Sequence, residues 1–328
     1  MAARSVLFVG GTGRISSACV VRAIESGCDV YVLNRSTTTA RPLPEGVRSF
    51  TADVRDPESV RAALGGREFD AVANFVVMTE DQARADIEQF AGRTAQYVFI
   101  SSASAYQKPV ARIPIVESTP LRNPYWQYSR DKIACELAFS EAYRTSGFPV
   151  TIVRPSHTYD KTMLPFDGGW TVVDRMRRSK PVVVHGDGTS LWTLTHHDDF
   201  ARAFVSLLGN PQAVGDAVHI TSDEVLTWNQ IHEIVARAAG ADARLVHVAS
   251  ESIATALPAW GPGLLGDKSH SLVFDNAKIR HLAPGWTATI PYAVGAREVL
   301  EWFDADPARQ VVDPAVDEAM DALVARHG

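Results

Sequence analysis

Cysteine is scarce in this sequence, and long apolar runs are absent. The three cysteines, Cys19, Cys28 and Cys135, are an odd number without the spacing of a metal site, so we expect free thiols in a reducing cytoplasm. No stretch reaches the roughly 18 consecutive apolar residues that a membrane-spanning helix needs. The N-terminal MAARSVLF runs directly into a predicted strand, which leaves no room for a signal peptide. These features predict a cytoplasmic protein without a membrane span.

The sequence also lacks a strong excess of either charge. Its 32 Lys and Arg residues against 38 Asp and Glu residues give a formal net charge of -6. A mildly acidic chain is poorly suited to binding nucleic acid or anionic membranes. Hydrophobic residues make up 46% of the 328 residues, which is enough for a large core and for more than one domain of roughly 100–200 residues.

Short apolar segments alternate with amphipathic segments through the first half of the chain. The apolar segments are rich in Val, Ile, Phe and Tyr, which is typical of strands buried on both faces of a parallel sheet. They are SVLFVG, DVYVLN, VRSFTAD, FDAVANFVV, QYVFISS and FPVTIVRP. Helices are predicted between them over 15–26, 57–64, 80–91 and about 125–144. This alternation predicts an α/β fold with a Rossmann-type doubly wound parallel sheet.

The pattern changes after Arg154. Residues 155–195 are rich in Gly, Pro and aromatic residues, and short strands and helices mix over 215–328. One further helix is predicted over 198–208 and another in TWNQIHEIVARAAG, with Thr227 as its N-cap. The tail from about Asp304 is expected to be an exposed, partly helical extension.

Two domains are predicted from this change of pattern. A NAD(P)-binding Rossmann domain would comprise 1–165 plus about 192–220. A smaller C-terminal α/β substrate domain would comprise about 166–191 and 221–328.

The segment VLFVGGTGRISSACV, residues 6–20, has the order strand, glycine-rich turn, helix that a dinucleotide-binding fold uses. Gly10 would permit the tight turn and Gly13 the approach of a pyrophosphate, while Ser16 replaces the third glycine of the usual fingerprint. The third position serves close packing of helix against strand, which a small residue preserves. The start of the helix can still present free N–H groups to phosphate. The motif therefore predicts a dinucleotide site.

The end of the second strand, Asn34-Arg35, bears on which dinucleotide binds. A NAD site usually has an acidic residue here for the ribose 2′-hydroxyl, whereas an arginine suits a 2′-phosphate. Arg35 and Arg14 favour NADP, because a guanidinium binds phosphate through two hydrogen bonds; the less favoured alternative is that both are solvated loop residues. Asp53, after the third strand, is expected at the edge of the adenine ring. NADP is the predicted cofactor, with NAD as the alternative.

The segment YWQYSRDKIACE places Tyr128 and Lys132 four residues apart, and hence on one face of a helix. A nearby ammonium stabilises a tyrosinate and lowers the tyrosine pKa from about 10. Such a tyrosine can pass a proton to or from a carbonyl or hydroxyl oxygen during hydride transfer. The pair alone is weak support, because Tyr and Lys at this spacing are common on helices.

The segment YVFISSASAY ends a predicted buried strand in hydroxyl side chains. Ligands of doubly wound sheets bind beyond the carboxyl ends of the strands, so Ser102 is expected beside the cofactor, where it can hydrogen-bond the reacting oxygen. The predicted catalytic residues are Ser102, Tyr128 and Lys132.

These motifs, in this order, resemble the extended short-chain dehydrogenase/reductase family, the NAD(P)-dependent epimerases and dehydratases. IVRPSHTYD, GDGTSLWTLTHHDDFARAF and FDNAKIRHLAPGW are similar to later segments of that family, so the resemblance covers nearly the whole chain. It implies that Pro155 lies by the nicotinamide and that His157 takes the place of a common substrate-binding asparagine. It also implies a homodimer through the helices that flank the sheet, including the one with Tyr128.

The predicted ligand contacts follow from these motifs and the resemblance. The residues predicted to contact the cofactor are Gly10, Gly11, Thr12, Gly13, Arg14, Ile15, Asn34, Arg35, Asp53, Val54, Asn74, Phe75, Ser101, Tyr128, Lys132, Pro155 and His157. The residues predicted to contact the substrate are Ser104, Tyr125, Trp126, His157, Trp170 and Trp192. Aromatic faces suit a sugar or base ring, although each of these aromatic residues could equally be core packing.

The chain departs from the family where the family binds substrate. The family's His-x-Ala-Ala after the fourth strand is NFVVM here. Trp192 stands where many sugar-nucleotide enzymes carry an arginine for the substrate diphosphate. Ser104 stands where dehydratases often carry an acid, so dehydration is less favoured than epimerisation or simple redox chemistry. The cations that could replace the arginine, or could equally be surface charges, are Arg175, Arg177, Arg178, Lys268 and His270.

The run HHDD at 196–199 has the composition of a metal site. Adjacent side chains on an ordered segment point apart, so the four cannot easily reach one ion. We interpret Asp198 and Asp199 as a helix start, where the dipole stabilises acids, and predict no metal.

The sequence thus predicts an NAD(P)-dependent epimerase or oxidoreductase that acts on a hydroxyl of a sugar or sugar-nucleotide-like substrate by reversible hydride transfer. One alternative is an NADPH-dependent reductase of a small carbonyl compound, which the missing diphosphate arginine favours. Another is a non-catalytic, RNA-binding relative, as in some plastid members of the family; the net charge and the intact catalytic set argue against it. The predicted partner is a small molecule, with no nucleic acid and no membrane.

Overall fold

The computed structural model describes residues 3–35 and 41–328. The strands, in chain order, are β1 (Ser5–Val9), β2 (Asp29–Asn34), β3 (Arg48–Thr51), β4 (Ala71–Asn74), β5 (Tyr97–Ile100), β6 (Val150–Pro155), β7 (His157–Tyr159), β8 (Val182–His185), β9 (Leu191–Trp192), β10 (Leu194–His196), β11 (Ala217–Ile220), β12 (Leu226–Thr227) and β13 (Leu245–Val248). The α-helices are α1 (Ser16–Glu25), α2 (Pro57–Leu64), α3 (Glu80–Phe90), α4 (Gln127–Ser146), α5 (Trp170–Arg177), α6 (His197–Val205), α7 (Trp228–Ala238), α8 (Ser250–Ala256), α9 (Gly261–Gly263), α10 (Ala277–Leu282), α11 (Tyr292–Asp304) and α12 (Pro314–His327).

One parallel sheet organises the N-terminal half. Within the described residues it has seven strands in the order β11-β6-β5-β4-β1-β2-β3. The six apolar segments singled out in the sequence supply all of them except β11. The strand order reverses between β1 and β4, which is where a doubly wound sheet binds ligands. The predicted Rossmann-type doubly wound sheet is confirmed.

The central strand β1 shows why these strands are continuous apolar runs. Val6 and Phe8 face one way and pack in a cluster that includes Phe200 of α6. Leu7 faces the other way and packs in a second cluster that includes Phe139 of α4. Helices thus cover both faces of the sheet, and every side chain of the strand needs an apolar environment.

Local capping explains where the predicted helices begin. Asp56 accepts a hydrogen bond from the backbone N–H of Glu58 at 3.0 Å, at the start of α2. Thr227 and Gln230 form a capping box at the start of α7. Both helix starts agree with the sequence, because a side-chain oxygen satisfies an N–H group that the helix itself leaves unpaired.

The C-terminal part packs around a third apolar cluster. The tail prediction was wrong in one respect: α12 is not simply exposed, because Val316, Met320 and Leu323 are buried in that cluster. The physical reason includes Arg175, which is fully buried and forms ion pairs with Asp317 of this helix at 2.5 Å. A buried cation needs such partners. The exact bounds of the two domains remain a prediction.

The cysteines are free thiols, with Cys19 and Cys135 buried and Cys28 half-buried. Among the described helices, none combines the length and the apolar character that crossing a membrane requires.

Candidate functional site

The glycine-rich turn joins β1 to α1 at the carboxyl edge of the sheet. Gly10 has φ +80°, and a Cβ there would lie 2.5 Å from Val76 Cγ1, so only glycine fits. The Ser16 hydroxyl donates to the Gly10 carbonyl at 2.6 Å and accepts from the Gly13 N–H at 2.8 Å. The serine that replaces the third glycine therefore ties the turn to the first residues of the helix.

A cleft of about 550 Å³ opens above this turn. Most of the residues predicted to contact the cofactor line it: Gly10, Thr12, Gly13, Arg14, Ile15, Asn34, Arg35, Val54, Phe75, Ser101, Tyr128, Lys132 and Pro155. The sequence missed Ser16, Leu33, Arg41, Val76, Met78 and Ile100, which also line it. Most of these are neighbours in sequence of residues that the motifs did indicate.

Four residues predicted to contact the cofactor lie outside the lining of this cleft: His157, which is described with the second cleft below, and Gly11, Asp53 and Asn74. A Cβ on Gly11 would lie 2.9 Å from Val32, so this glycine serves the close approach of β2. The Asp53 carboxylate accepts from the Arg55 N–H at 3.0 Å. Asn74 is buried and donates to Asp86 at 2.6 Å. Each of the last three has a structural contact that its sequence context did not reveal.

The two predicted arginines differ in where their side chains lie. Arg35 is exposed at the rim of the cleft. The Arg14 guanidinium lies 3.7 Å from Met163 Sδ, and Arg14 lines this cleft and a second one beside it. Arg14 therefore faces the junction of the two clefts, whereas Arg35 faces the outer end of the first.

A third arginine, Arg41, also lines the first cleft. Its guanidinium donates to the Asp160 carboxylate at 2.7 Å and 2.9 Å and to the Thr162 hydroxyl at 2.7 Å. The ion pair joins the connection after β2 to the connection after β7. No motif pointed to Arg41, because its partner is far away in the sequence.

The predicted catalytic residues meet where the two clefts join. Tyr128 and Lys132 lie one turn apart on α4, and Tyr128 lines both clefts. Ser102, just after β5, lines the second cleft. Its hydroxyl lies 2.9 Å from the Ser104 hydroxyl, which in turn accepts from Ser129 at 2.8 Å.

Lys132 is buried and points towards the ends of two strands. Its ammonium donates to the carbonyl oxygens of Val77 and Ile100 at 2.6 and 2.9 Å and lies 5.8 Å from the centre of the Tyr128 ring. Burial lowers the pKa of Lys132 to about 8, since an apolar environment disfavours the charged form.

The sequence predicted that Lys132, together with the positive ring of an oxidised nicotinamide, lowers the pKa of Tyr128; in the chain alone this pKa is raised. Burial is the main cause, and a hydrogen bond from Ser102 opposes it in part. Tyr128 is therefore protonated at neutral pH, and a further positive charge beside it is needed before it can act as a base.

The second cleft, of about 430 Å³, adjoins the first. Four of the residues predicted to contact the substrate line it: Ser104, Trp126, His157 and Trp192. His157 had also been predicted to contact the cofactor, and it lines this second cleft instead. Asp267 and Lys268 also line this cleft, and of these the sequence had indicated only Lys268.

Trp192 and His157 form a pair in this cleft. The indole Nε1 donates to His157 Nδ1 at 3.1 Å, so the imidazole proton must be on Nε2. That atom is buried and has no hydrogen-bond partner in the described chain. Burial, with the charges of Lys268 and Arg14, lowers the pKa of His157 to about 3. A neutral histidine thus carries an unused N–H donor.

Two predicted substrate residues lie elsewhere. Trp170 is buried and stacks on Phe303 with ring centres 5.0 Å apart, so it is core packing. Tyr125 is 43% exposed and lies beside His270, outside the lining of the second cleft.

The five cations that were predicted as possible replacements for the diphosphate arginine also differ in their distance from the second cleft. Arg175, Arg177 and Arg178 pair with acids remote from the cleft: Asp317 and Asp321, Asp304, and Asp174 respectively. His270 Nε2 is bonded to the Leu265 carbonyl. Lys268 alone of the five lines the second cleft, and it is paired with Asp167 at 2.9 Å.

The HHDD run begins α6, as predicted. The ligand atoms of His196, His197 and Asp198 lie within 4.8 Å of one another, so the expectation that adjacent side chains point apart was wrong for these three. His196 Nε2 is already bonded to Glu298 at 3.0 Å and its Nδ1 accepts from the Asp198 N–H. Asp199 accepts from backbone N–H groups of the segment before α11. The prediction of no metal stays a prediction.

The strand order, the glycine-rich turn and the paired clefts define a Rossmann-type dinucleotide enzyme. The chain belongs to the NAD dependent epimerase/dehydratase family, whose model matches residues 6–221. This agrees with the resemblance to extended short-chain dehydrogenases/reductases.

Individual proteins are similar along most of their length. The chain is 29% identical over 287 residues to 2′-dehydrokanamycin reductase of Streptomyces kanamyceticus, covering 86% of this chain and 79% of that protein. An epimerase structure from Methanothermobacter thermautotrophicus has a TM-score of 0.75 at 16% identity, covering 94% of each chain. The dTDP-glucose 4,6-dehydratase of Bacillus anthracis, in complex with NAD, has a TM-score of 0.74 at 17% identity, covering 94% of this chain and 98% of that one. The two structures support the fold.

Proposed function

We propose that this protein is an NAD(P)-dependent oxidoreductase or epimerase that acts on a hydroxyl-bearing carbon of a sugar-like ring. The observation that carries the proposal is that Tyr128 lines both clefts. A group at the junction of a dinucleotide cleft and a substrate cleft is within reach of the bond that hydride transfer makes or breaks. The identification of Ser102, Tyr128 and Lys132 as the catalytic residues is part of this proposal.

The first cleft fits a dinucleotide. Gly10 lacks the Cβ that would meet Val76, and the backbone of Thr12 to Ile15 leads into the N-terminus of α1, where free N–H groups favour phosphate. A bound nicotinamide would supply or accept the hydride. We propose NADP as the preferred form and NAD as the alternative, because β2 ends without an acid and both Arg35 and Arg41 line this cleft.

The chain's own residues handle the proton. Tyr128, protonated because it is buried, can give its proton to the carbonyl oxygen of a ketone when the ketone is reduced, and can take it back in the opposite direction. Ser102 can donate a hydrogen bond to the same oxygen, where negative charge changes. Lys132, held by two backbone carbonyls, lies near Tyr128, and its positive charge would favour the tyrosinate together with that of an oxidised nicotinamide.

The second cleft suits a ring without a diphosphate. Trp126 and Trp192 provide aromatic faces, which suit the C–H faces of a sugar. Trp192 occupies the position of the family's diphosphate arginine, and Lys268 is the sole cation among its suggested replacements to reach this cleft, already paired with Asp167. The similarity to 2′-dehydrokanamycin reductase supports a sugar-like ketone or alcohol as substrate.

The proposal also includes the predicted domains, oligomeric state and location of the protein. The domain at 1–165 plus about 192–220 would bind the dinucleotide, and the domain at about 166–191 and 221–328 would bind the substrate. A homodimer through the helices flanking the sheet and a cytoplasmic location are likewise proposed. The experiments below also test the alternative of a small-carbonyl reductase. The RNA-binding alternative is not favoured.

The first experiment is mass spectrometry of the nucleotide that the purified protein releases on denaturation. Stoichiometric oxidised cofactor supports an epimerase or another internal redox reaction, and its mass decides between NAD and NADP. A protein that is empty and then binds NADPH supports an exchanging cosubstrate.

The second experiment measures NADPH formation at 340 nm with NADP⁺ and a panel of kanamycin, D-glucose and UDP-glucose, and NADPH consumption with simple ketones. We expect Tyr128→Phe to abolish turnover while retaining dinucleotide affinity. Tyr143→Phe, an exposed tyrosine on the same helix, is the matched control. Retained turnover in Tyr128→Phe would contradict the mechanism.

A further inference from the structure

The lining of the second cleft includes an acid that no sequence motif indicated. Asp267 lies in a π-helical turn, Leu264–Lys268, and lines the cleft together with Ser102, Ser104 and Tyr128. Single π-helical turns are uncommon and are frequently found at functional sites.

The position of Asp267 is fixed by contacts on both sides of the turn. The Asn123 amide donates to the Gly266 carbonyl at 2.7 Å and to the Ser104 carbonyl at 3.0 Å. A Cβ on Gly266 would lie 2.9 Å from Trp126 Cβ, so glycine allows the turn to approach the start of α4 this closely. The Asn123 side chain therefore links the π-helical turn to the segment that carries Ser102 and Ser104.

The carboxylate of Asp267 is incompletely partnered. Its Oδ1 lies 3.3 Å from the ammonium of Lys108, which is fully buried, whereas the Asp267 side chain is 16% exposed. No hydrogen bond of good geometry reaches Oδ1 within the described chain. Burial raises the pKa of Asp267, with Lys108 opposing the shift. Asp267 is thus the counter-ion of a buried ammonium, and one of its carboxylate oxygens still lacks a hydrogen-bond donor within the described chain.

Asp267 is also close to the catalytic tyrosine. Burial is the main reason that the pKa of Tyr128 is raised, and the Asp267 charge adds to it. A ring seated against Trp126 with its reacting carbon at Tyr128 would therefore present a neighbouring substituent to Asp267.

We propose that Asp267 is a substrate-recognition residue, whose carboxylate accepts a hydrogen bond from a hydroxyl or ammonium group of the sugar-like ring. The inference rests on the function proposed above and deepens it. Asp267 accepts this hydrogen bond, while the unpartnered Nε2–H of His157 donates one to an oxygen of the bound sugar. Such a combination of acceptor, donor and aromatic face selects polyhydroxylated or amino-substituted rings over simple ketones, which lack the donor group that Asp267 requires.

The test uses binding rather than turnover. Kanamycin, D-glucose and cyclohexanone are titrated calorimetrically into the full-length Tyr128→Phe protein loaded with NADP⁺, with and without Asp267→Asn. We expect kanamycin or D-glucose to bind, and Asp267→Asn to weaken that binding about ten- to a hundredfold, as for loss of a hydrogen bond to a charged group. A larger loss for kanamycin than for D-glucose identifies an ammonium as the donor; equal losses identify a hydroxyl.

The matched control is Asp317→Asn. Asp317 is 20% exposed and pairs with the fully buried Arg175, as Asp267 pairs with Lys108, but it lies on α12 away from both clefts. Asp267→Asn alone leaves the buried ammonium of Lys108 without its ion-pair partner. The double variant Lys108→Met/Asp267→Asn removes that ammonium as well. If the double variant is folded and still binds the sugar weakly, the loss of binding does not come from a folding defect. Thermal denaturation monitors the fold of each protein.

Each outcome separates this inference from the proposed function. If Asp267→Asn leaves the affinity for kanamycin and D-glucose unchanged, the inference alone is overturned. The same holds if the protein binds cyclohexanone but neither kanamycin nor D-glucose. Ring binding that needs Asp267, combined with no turnover by the wild-type protein, supports the inference and overturns the proposed function. A protein that binds none of the three compounds overturns the inference.

Discussion

The indole N–H of Trp192 donates to His157 Nδ1 at 3.1 Å, and this single hydrogen bond decides which nitrogen of the histidine carries a proton. Trp192 thus acts on the second cleft in two ways, by its aromatic face and by fixing the direction in which His157 donates. The resemblance to the family predicted an arginine at the position of Trp192 and an asparagine at that of His157, and in the structure these two residues are joined by one hydrogen bond.

Trp192→Phe keeps the aromatic face and removes the donor. We expect kcat/KM for the substrate to fall roughly five- to thirtyfold, as for one or two kcal/mol of lost hydrogen bonding, with dinucleotide affinity unchanged. Protonation cannot replace the lost donor near neutral pH, because the pKa of His157 is lowered to about 3. Trp170→Phe, a buried tryptophan outside the cleft, is the control. Equal losses in both variants would indicate general packing damage.

Lys132 predicts a specific pH dependence of stability. Its pKa is about 8 in the folded chain against 10.5 for a free lysine, so the unfolded state binds more protons between those values. The free energy of unfolding should therefore rise with pH from about 8 to 10.5 for this group. We expect the difference between wild type and Lys132→Met to grow in favour of wild type over that range by at most about 3 kcal/mol. Parallel curves from urea denaturation would contradict the prediction.

Ser16 should stabilise the glycine-rich turn. Ser16→Ala removes both hydrogen bonds to the turn, and Ser16→Gly restores the usual fingerprint while also removing them. We expect each substitution to lower the free energy of unfolding by about 1–3 kcal/mol, because two partly buried backbone groups each lose a hydrogen bond, and to retain dinucleotide binding. Ser17→Ala on the same helix is the control in thermal and urea denaturation. Stabilisation by Ser16→Gly would show that the hydroxyl contacts are unimportant.

Arg35 and Arg41 should discriminate between the two dinucleotides. We expect Arg35→Ala and Arg41→Ala to weaken NADPH binding at least about tenfold, because each removes a guanidinium that can pair with a 2′-phosphate. NADH affinity should change little. Arg48→Ala removes an exposed arginine of β3 that pairs with Asp29 and serves as control. Fluorescence titration with both cofactors gives the ratio; an equal loss of NADH and NADPH affinity would reject a 2′-phosphate role.

The sequence by itself determined the fold and the centre of the site. A strand such as β1 is buried on both faces, so it has to be a continuous apolar run and is recognisable as one. The glycine-rich turn and the pair Tyr128 and Lys132 are local patterns, whose geometry follows from a tight turn and from one turn of helix.

Only the tertiary structure decided which of the remaining candidates share the clefts. Trp192 lines the second cleft, whereas Trp170 packs in the core against Phe303, although both had been predicted to contact the substrate. Arg41 and Asp267 line the clefts because they pair with Asp160 and Lys108, each more than a hundred residues away. The physical reason is that strand and helix periodicity are properties of neighbouring residues, whereas the partner of a buried charge or ring is chosen by how distant segments pack.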